Sequence, residues 1–206
     1  MYLCSRYWNI LENNDYNIKA VPIKHRIPCF GYVIQESNKA GTLDVEKAKR
    51  FGVKPGPEMG KLKSGQSIIV SGSGTEVKPE DVLGDPKKGK KVVILGDTCD
   101  TSEIANFSAN ANYVVHEATM ENSLKSKAIE YGHSTPSMAV DFSVKIKAKK
   151  MCLTHLSPRY KPISLSKEDD IETAKIILSE AKYCLEQKES KTEVVVAEDF
   201  FEDYVK

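Results

Sequence analysis

The chain has 206 residues, 40% of them hydrophobic and 29% charged, and its 30 Lys+Arg and 29 Asp+Glu leave a formal net charge of +1. That length can bury the core of one generous domain or two small ones, and the composition excludes a disordered tail. Near-balance of charge excludes a chain-wide polycation that coats nucleic acid, though not a local basic patch, and no run approaches the roughly 20 apolar residues of a membrane span.

Residues 1–14 lack the basic, apolar and small-residue order of a secretory signal, and nothing up to Glu12 forms a motif. His25, in Lys24-His25-Arg26-Ile27-Pro28-Cys29-Phe30-Gly31-Tyr32, is a candidate metal ligand that alone reads equally as a surface histidine. Residues 39–91 differ from the rest. They hold nine of the twelve glycines, four of the nine prolines and one aromatic residue, Phe51. Twelve Lys+Arg against seven acids give this segment +5, leaving −4 elsewhere. Its middle, Lys54 to Lys63, carries too few large apolar side chains for a core, so a tight Gly/Pro loop path with outward lysines is expected. It reads as a solvated linker or as a protruding arm that grips a polyanion through Lys–phosphate contacts.

Beyond it, strands and helices alternate. Residues 92–95, 113–115, 151–153 and 194–196 are short apolar runs rich in β-branched side chains, as buried strands are. A helix is expected after Thr135-Pro136, with Met138, Ala139 and Phe142 inward. Another is expected over 166–186, where Ile171, Ala174, Leu178, Ala181 and Leu185 make an apolar stripe after a Ser166/Asp169 capping box. The pattern is that of an α/β layered domain.

Each strand runs into reactive side chains: Asp97-Thr98, His116-Glu117-Ala118-Thr119, His155-Leu156-Ser157, and Glu198-Asp199. Carboxyl ends of strands in α/β sheets are where sites assemble, so these four ends suggest one shared site. Singly, Asp97 reads as a turn residue capping the next helix, His155 as a structural histidine, and Glu117 and His133 as unrelated surface residues. Together, carboxylates and neutral imidazoles suit Zn²⁺ or Mn²⁺. His133 lies two residues before the helix start at Thr135, where an anion is favoured. Glu117 could orient it as a general acid. The five cysteines (Cys4, Cys29, Cys99, Cys152, Cys184) form no Cys-x-x-Cys pair, which predicts free thiols in a reducing compartment and no thiolate zinc site.

In order and spacing, HRIPCFGY (25–32), KPGPEMGKLKSG (54–65), ILGDT (94–98), VHEAT (115–119), GHSTP (132–136), LTHLSPRY (153–160) and AEDF (197–200) resemble the short form of ribonuclease Z. That family comprises endonucleases of tRNA 3′ processing on a metallo-β-lactamase fold, and the resemblance spans residues 18–203. It implies an αββα sandwich with residues 39–91 as an inserted, flexible tRNA-binding arm. It further implies two Zn²⁺ ions, with His25 and His155 each on one ion and Asp97 bridging both. His133, oriented by Glu117, would protonate the departing 3′ oxygen during in-line attack on the phosphodiester. Lys54, Lys61 and Lys63 would contact RNA, with His116, Thr98, Ser134 and Thr135 in supporting places. Precursor tRNA as substrate, a homodimer in which one arm serves the other subunit, no membrane contact, and a cytoplasmic or nuclear location complete the expectation.

The family's His-x-His-x-Asp-His string does not occur, and the only histidines are His25, His116, His133 and His155. Three ligands for two zinc ions leave each under-coordinated. The chain therefore reads as a C-terminal portion, inactive alone, whose sheet lacks its facing layer and exposes an apolar face. A non-catalytic tRNA-binding or dimerising partner of an intact subunit is the alternative. The basic segment argues against a third reading, a small-substrate hydrolase on the same fold.

Overall fold

The computed structural model describes residues 6–205. In chain order the elements are β1 (Trp8–Glu12), β2 (Tyr16–Ile23), β3 (Cys29–Glu36), α1 (Val45–Arg50), α2 (Pro57–Lys63), β4 (Ile68–Ile69), β5 (Glu76–Val77), α3 (Pro79–Val82), β6 (Lys91–Leu95), α4 (Ser102–Ala105), β7 (Tyr113–Glu117), α5 (Lys125–Glu130), α6 (Pro136–Lys145), β8 (Lys150–Thr154), α7 (Ala174–Gln187) and β9 (Glu193–Val196). They fall into two compact units, Ser37–Gly89 and the remainder of the chain.

The larger unit is built on a seven-stranded sheet in the order β1-β2-β3-β6-β7-β8-β9. The strands from β1 to β6 pair antiparallel and those from β6 to β9 parallel. The four apolar runs expected as strands are β6 to β9. Because they run parallel, their carboxyl ends share one edge of the sheet.

Strand pleating divides the sheet into two faces. Val33, Val93, Val114 and Met151 are in register across one face and are buried. There they meet Ile104 of α4, Phe142 of α6 and Ile146 just after it, and Ile177 and Ala181 of α7. Tyr32, Ile94, Val115, Cys152 and Val195 are in register on the other face. On that face Trp8, Phe30, Tyr32 and Ile94 are exposed, with Trp8 edge-on to Phe30 at 5.5 Å. The chain's end returns over part of the same face: Asp203 accepts from the Tyr113 hydroxyl at 2.9 Å and pairs with Lys150 at 2.6 Å. This face is the apolar surface expected from the sequence.

The helix after Thr135-Pro136 forms as α6, with Ala139, Val140 and Phe142 buried and Met138 only half-buried. Thr135 stands at its N-cap, but its hydroxyl meets Ser137 Oγ at 3.1 Å and not a helix N–H. The helix expected over 166–186 starts later, at Ala174. Ser166 closes a short 3₁₀ turn (Ile163–Leu165), and Ile171 is 84% exposed, off the stripe. Asp170, not Asp169, does the local capping, accepting from Lys167 N at 2.7 Å and from Lys161 Nζ at 2.9 Å. Local side-chain bonding of this kind competes with the helix and delays its start.

The unit Ser37–Gly89 corrects a second expectation. Ala48, Val53, Met59, Leu62, Ile68, Val70, Val77 and Val82 form a core cluster of their own, with Leu43 packed against it. Five of these eight, Val53, Ile68, Val70, Val77 and Val82, are β-branched, and the cluster closes without an aromatic side chain. The Lys54–Lys63 stretch, expected as loop, contains α2, and its Met59 and Leu62 face inward at a three-residue spacing. At the foot of the unit, Gly41 is obligatory, since a Cβ there would lie 1.8 Å from Gly84 O. Among the described residues no helix is long and apolar enough to cross a membrane. Cys29, Cys99, Cys152 and Cys184 are unpaired thiols, and Cys4 lies outside the described residues.

Candidate metal and catalytic centre

At the shared edge of the parallel strands, Glu117, a residue 1% exposed, ends β7 with a buried carboxylate. It follows Tyr113 and Val115 on the open face. Four donors surround it. Oε1 accepts from Thr98 N at 2.7 Å and His133 Nδ1 at 3.0 Å. Oε2 accepts from the Thr119 hydroxyl at 2.5 Å and Ser134 N at 3.1 Å. A carboxylate has about four lone-pair sites, and all are used. Ser134 Oγ donates to Thr98 O at 2.5 Å, tying the loop after β6 to the loop before α6. Thr98 Oγ1 reaches Lys24 O at 3.0 Å and Asp100 O at 2.9 Å, and Cys99 N donates to Lys24 O at 2.9 Å. These bonds bring His25 to the strand ends.

His25 Nδ1 lies 2.8 Å from Gly132 O. A carbonyl only accepts, so Nδ1 carries the hydrogen and Nε2 keeps a lone pair, the state in which metal-ligating imidazoles are held. Gly132 must be glycine: its φ is +80° and a Cβ would sit 2.6 Å from His25 Nδ1. His133 lies between the other two rings, tilted against His25 at 4.9 Å and stacked on His155 at 5.3 Å, centroid to centroid. His155 follows β8 with φ +53°, and its Nδ1 lies 3.4 Å from Asp97 Oδ1. Asp97 therefore faces the histidines and caps no helix. Asp100 lies nearer to α4, accepting Ser102 N at 2.8 Å, and the N-cap residue of that helix is Thr101.

His25, Asp97 and His133 form one group, and Glu117, His133 and His155 another, in each of which one ligand atom per residue lies within 4.8 Å of the others. Imidazoles with carboxylates are a donor set for Zn²⁺, and the Nδ1–H of His25 leaves the right nitrogen for it.

His116, expected in a supporting place, lies on the helix-covered face. Its Nδ1 donates to Glu117 O at 2.6 Å, and its ring packs 5.7 Å from Phe142. Burial pushes its pKa below the usual imidazole value. It lines a cavity of about 230 Å³ with Cys99, Ser134 and Asp141, behind the cluster. Glu198, the fourth strand end, accepts Ser164 N at 3.1 Å, and bonds from Ser164 lower its pKa. It borders a cleft of about 620 Å³ that His155 also lines. Lys54, Lys61 and Lys63 are exposed on the Ser37–Gly89 unit. Thr119 is the residue that sequence reasoning missed. It touches Glu117, His133 and His155, and no local signal marks a threonine that meets a histidine 36 positions on.

No family model matches the chain. Zinc phosphodiesterase ELAC protein 1 of Bos taurus is 38% identical over 193 residues, 93% of this chain and 52% of the relative. Ribonuclease Z of Streptococcus pneumoniae is 39% identical over 162 residues, 78% of this chain and again 52% of the relative. Among solved structures, human tRNase Z, short form (ELAC1), superposes with a TM-score of 0.54 at 22% identity, over 98% of this chain and 48% of that one. The metallo-β-lactamase fold protein YhfI of Bacillus subtilis gives a TM-score of 0.54 at 15% identity, over 94% of this chain and 51% of its own. The chain thus spans about half the length of the relatives it matches. It is a homologue, along nearly its whole length, of one half of the proteins named ribonuclease Z and ELAC-type zinc phosphodiesterase, and it carries about half of a metallo-β-lactamase fold.

Proposed function

We propose that this chain supplies the bridging-ligand and proton-donating half of a zinc-dependent endoribonuclease that removes 3′ trailers from precursor tRNA. The observation that carries the reading is the meeting of His25, Asp97, Glu117, His133 and His155 at the strand ends of a chain so related to ribonuclease Z.

His25, Asp97 and His155 would hold two Zn²⁺ ions, with Asp97 between them. Bound zinc supplies a Lewis acid for the phosphoryl oxygens and electrostatic stabilisation of an in-line displacement. The chain's own contribution to proton transfer lies in His133. Its Nδ1–H is held by Glu117 at 3.0 Å, which fixes the ring, so that in the imidazolium form the second hydrogen, on Nε2, would pass to the departing 3′ oxygen and leave a neutral Nδ1–H ring. Glu117 is in turn immobilised by Thr98, Thr119 and Ser134, so the ring direction is set before substrate arrives. The Ser37–Gly89 unit, with exposed Lys54, Lys61 and Lys63, would grip the tRNA, and a homodimer would let one subunit's arm serve the other's site. The cytoplasm or nucleus, where precursor tRNA is found and thiols stay reduced, is the proposed location.

Four histidines, one of them turned to the helix face, do not complete two zinc coordination spheres. The purified chain is therefore expected to release no trailer from precursor tRNA in Zn²⁺. Supplied with the half of a ribonuclease Z that bears His-x-His-x-Asp-His, it should cleave, and Asp97→Ala or His155→Ala should abolish that cleavage. Tight, metal-independent tRNA binding with no cleavage in the complemented mixture would instead mark a binding partner.

A further inference from the structure

We propose that Thr119 is a positioning residue whose hydroxyl fixes the ring tautomer of His155, leaving Nε2 bare for a metal. The inference deepens the zinc-centre reading above and rests on it for its purpose.

The bonding follows from proton counting. Thr119 has one hydroxyl hydrogen. Its shortest contact is 2.5 Å, to Glu117 Oε2, on a carboxylate that already accepts a backbone N–H at each oxygen. An ionised acceptor takes the hydrogen in preference to a neutral one. Toward His155 Nδ1, 3.0 Å away, the hydroxyl then presents only lone pairs. The other neighbour of that nitrogen, Asp97 Oδ1 at 3.4 Å, is also an acceptor. Nδ1 of His155 must therefore carry the hydrogen. A free neutral histidine side chain favours the opposite, Nε2–H form, so the protein imposes this state.

Thr119 is placed for the task by its backbone as well. Its carbonyl accepts Ser157 N at 3.0 Å, which pins the turn after β8 that holds His155 at φ +53°. The side chain is buried, and its hydroxyl lies 3.0 Å from His155 O. One threonine so couples Glu117, which orients the proposed general acid, to a proposed metal ligand 36 residues further on. The same pattern runs through the chain. His25 Nδ1 faces Gly132 O, His133 Nδ1 faces Glu117 Oε1, and His116 Nδ1 faces Glu117 O. All four imidazoles have an acceptor at Nδ1, and only for His155 is that acceptor a side-chain hydroxyl whose own hydrogen is committed elsewhere.

The test is the long-range ¹⁵N–¹H spectrum of the metal-free, ¹⁵N-labelled chain at about pH 8.5, where ordinary imidazoles are neutral. The wild-type chain should show His155 in the Nδ1–H pattern. Thr119→Val, which keeps the shape and removes the hydroxyl, should move His155 toward an Nε2–H mixture while His25 and His116 keep theirs. Thr119→Ser should restore the wild-type pattern. Zn²⁺ affinity, read by competition with a chromophoric chelator, should fall by roughly tenfold or more in the valine variant and recover in the serine variant. An Nε2–H pattern at His155 in the wild-type chain, or a valine variant indistinguishable from it, would overturn the proposal. If the valine variant loses the His116 pattern and so has not folded, Asp97→Ala decides the question. With the hydroxyl as sole acceptor, His155 should stay Nδ1–H, and a switch to Nε2–H refutes the role of Thr119. The spectra need neither metal nor RNA, so a failure of the nuclease reading leaves them interpretable, while Zn²⁺ binding that survives with the wrong tautomer removes only Thr119.

Discussion

The two compact units reach their order by different routes. In the larger one, parallel strands between helices and an exposed apolar face set polar side chains from distant segments at one edge, where Glu117 alone joins four donors. In Ser37–Gly89 the order is a small apolar cluster under a surface of ten Lys/Arg and seven acids, with α2 turning Met59 and Leu62 inward and Lys61 and Lys63 outward. One unit uses its structure to aim groups within ångströms. The other uses it to display charge, for which phosphate contacts demand little geometry. A chain-wide average hides this: the net charge of +1 is a sum over a basic unit and an acidic remainder.

The contrast predicts where substitutions hurt. Leu62→Ala, at a fully buried position, should cost about 2–5 kcal/mol by creating a cavity. Hydrogen exchange should accelerate within 37–89 while β6 to β9 stay protected. Equal loss of protection in both would show that the two units do not stand apart energetically. Glu117→Ala in the other unit leaves Thr98 N and Ser134 N without their acceptor. A loss of about 3 kcal/mol in chemical denaturation is expected from buried, unsatisfied donors.

Smaller effects sharpen the same division. The lowered pKa of His116 gives a pH dependence whose sign is fixed. The unfolded chain takes up a proton near the ordinary imidazole value of about 6.5 while the buried ring resists, so this contribution to stability is lost as the pH falls below it. His116→Asn, which keeps a donor for Glu117 O and does not titrate, should show a shallower decline between about pH 7 and pH 5 in thermal melts. Lys61→Ala with Lys63→Ala should change stability by no more than about 0.5 kcal/mol, since both side chains are exposed. Their effect should appear in tRNA binding, as a salt-dependence slope reduced by about 1 to 2. An unchanged slope would detach the basic unit from RNA.

Much of the larger unit was legible because its signals are local. Apolar runs of β-branched residues gave β6 to β9, and Pro136 after Thr135 gave the start of α6. Ordered motifs around His25, Asp97, Glu117, His133 and His155 pointed to one site. Elsewhere local signals misled. The stripe from Ile171 predicted helix too early because Asp170 satisfies Lys167 N and Lys161 in a turn. The Lys54–Lys63 stretch looked coreless because its two inward residues find their partners on α1, β4, β5 and α3, outside any local window.

The sequence by itself determined which residue types end which strands, and so the chemical repertoire of carboxylates and imidazoles at one edge. Only tertiary structure decided how they are used. Strand alternation sent His116 to the helix-covered face and its neighbour Glu117 to the open one. Chain crossing set Gly132 O against His25 and Thr119 against His155, which fixes the hydrogen on each ring. A tautomer depends on which acceptor lies within 3 Å or so, and such distances arise between residues far apart in sequence. For that reason the ligand types were readable in the sequence, whereas the ring nitrogen each histidine would offer to a metal was settled by folding.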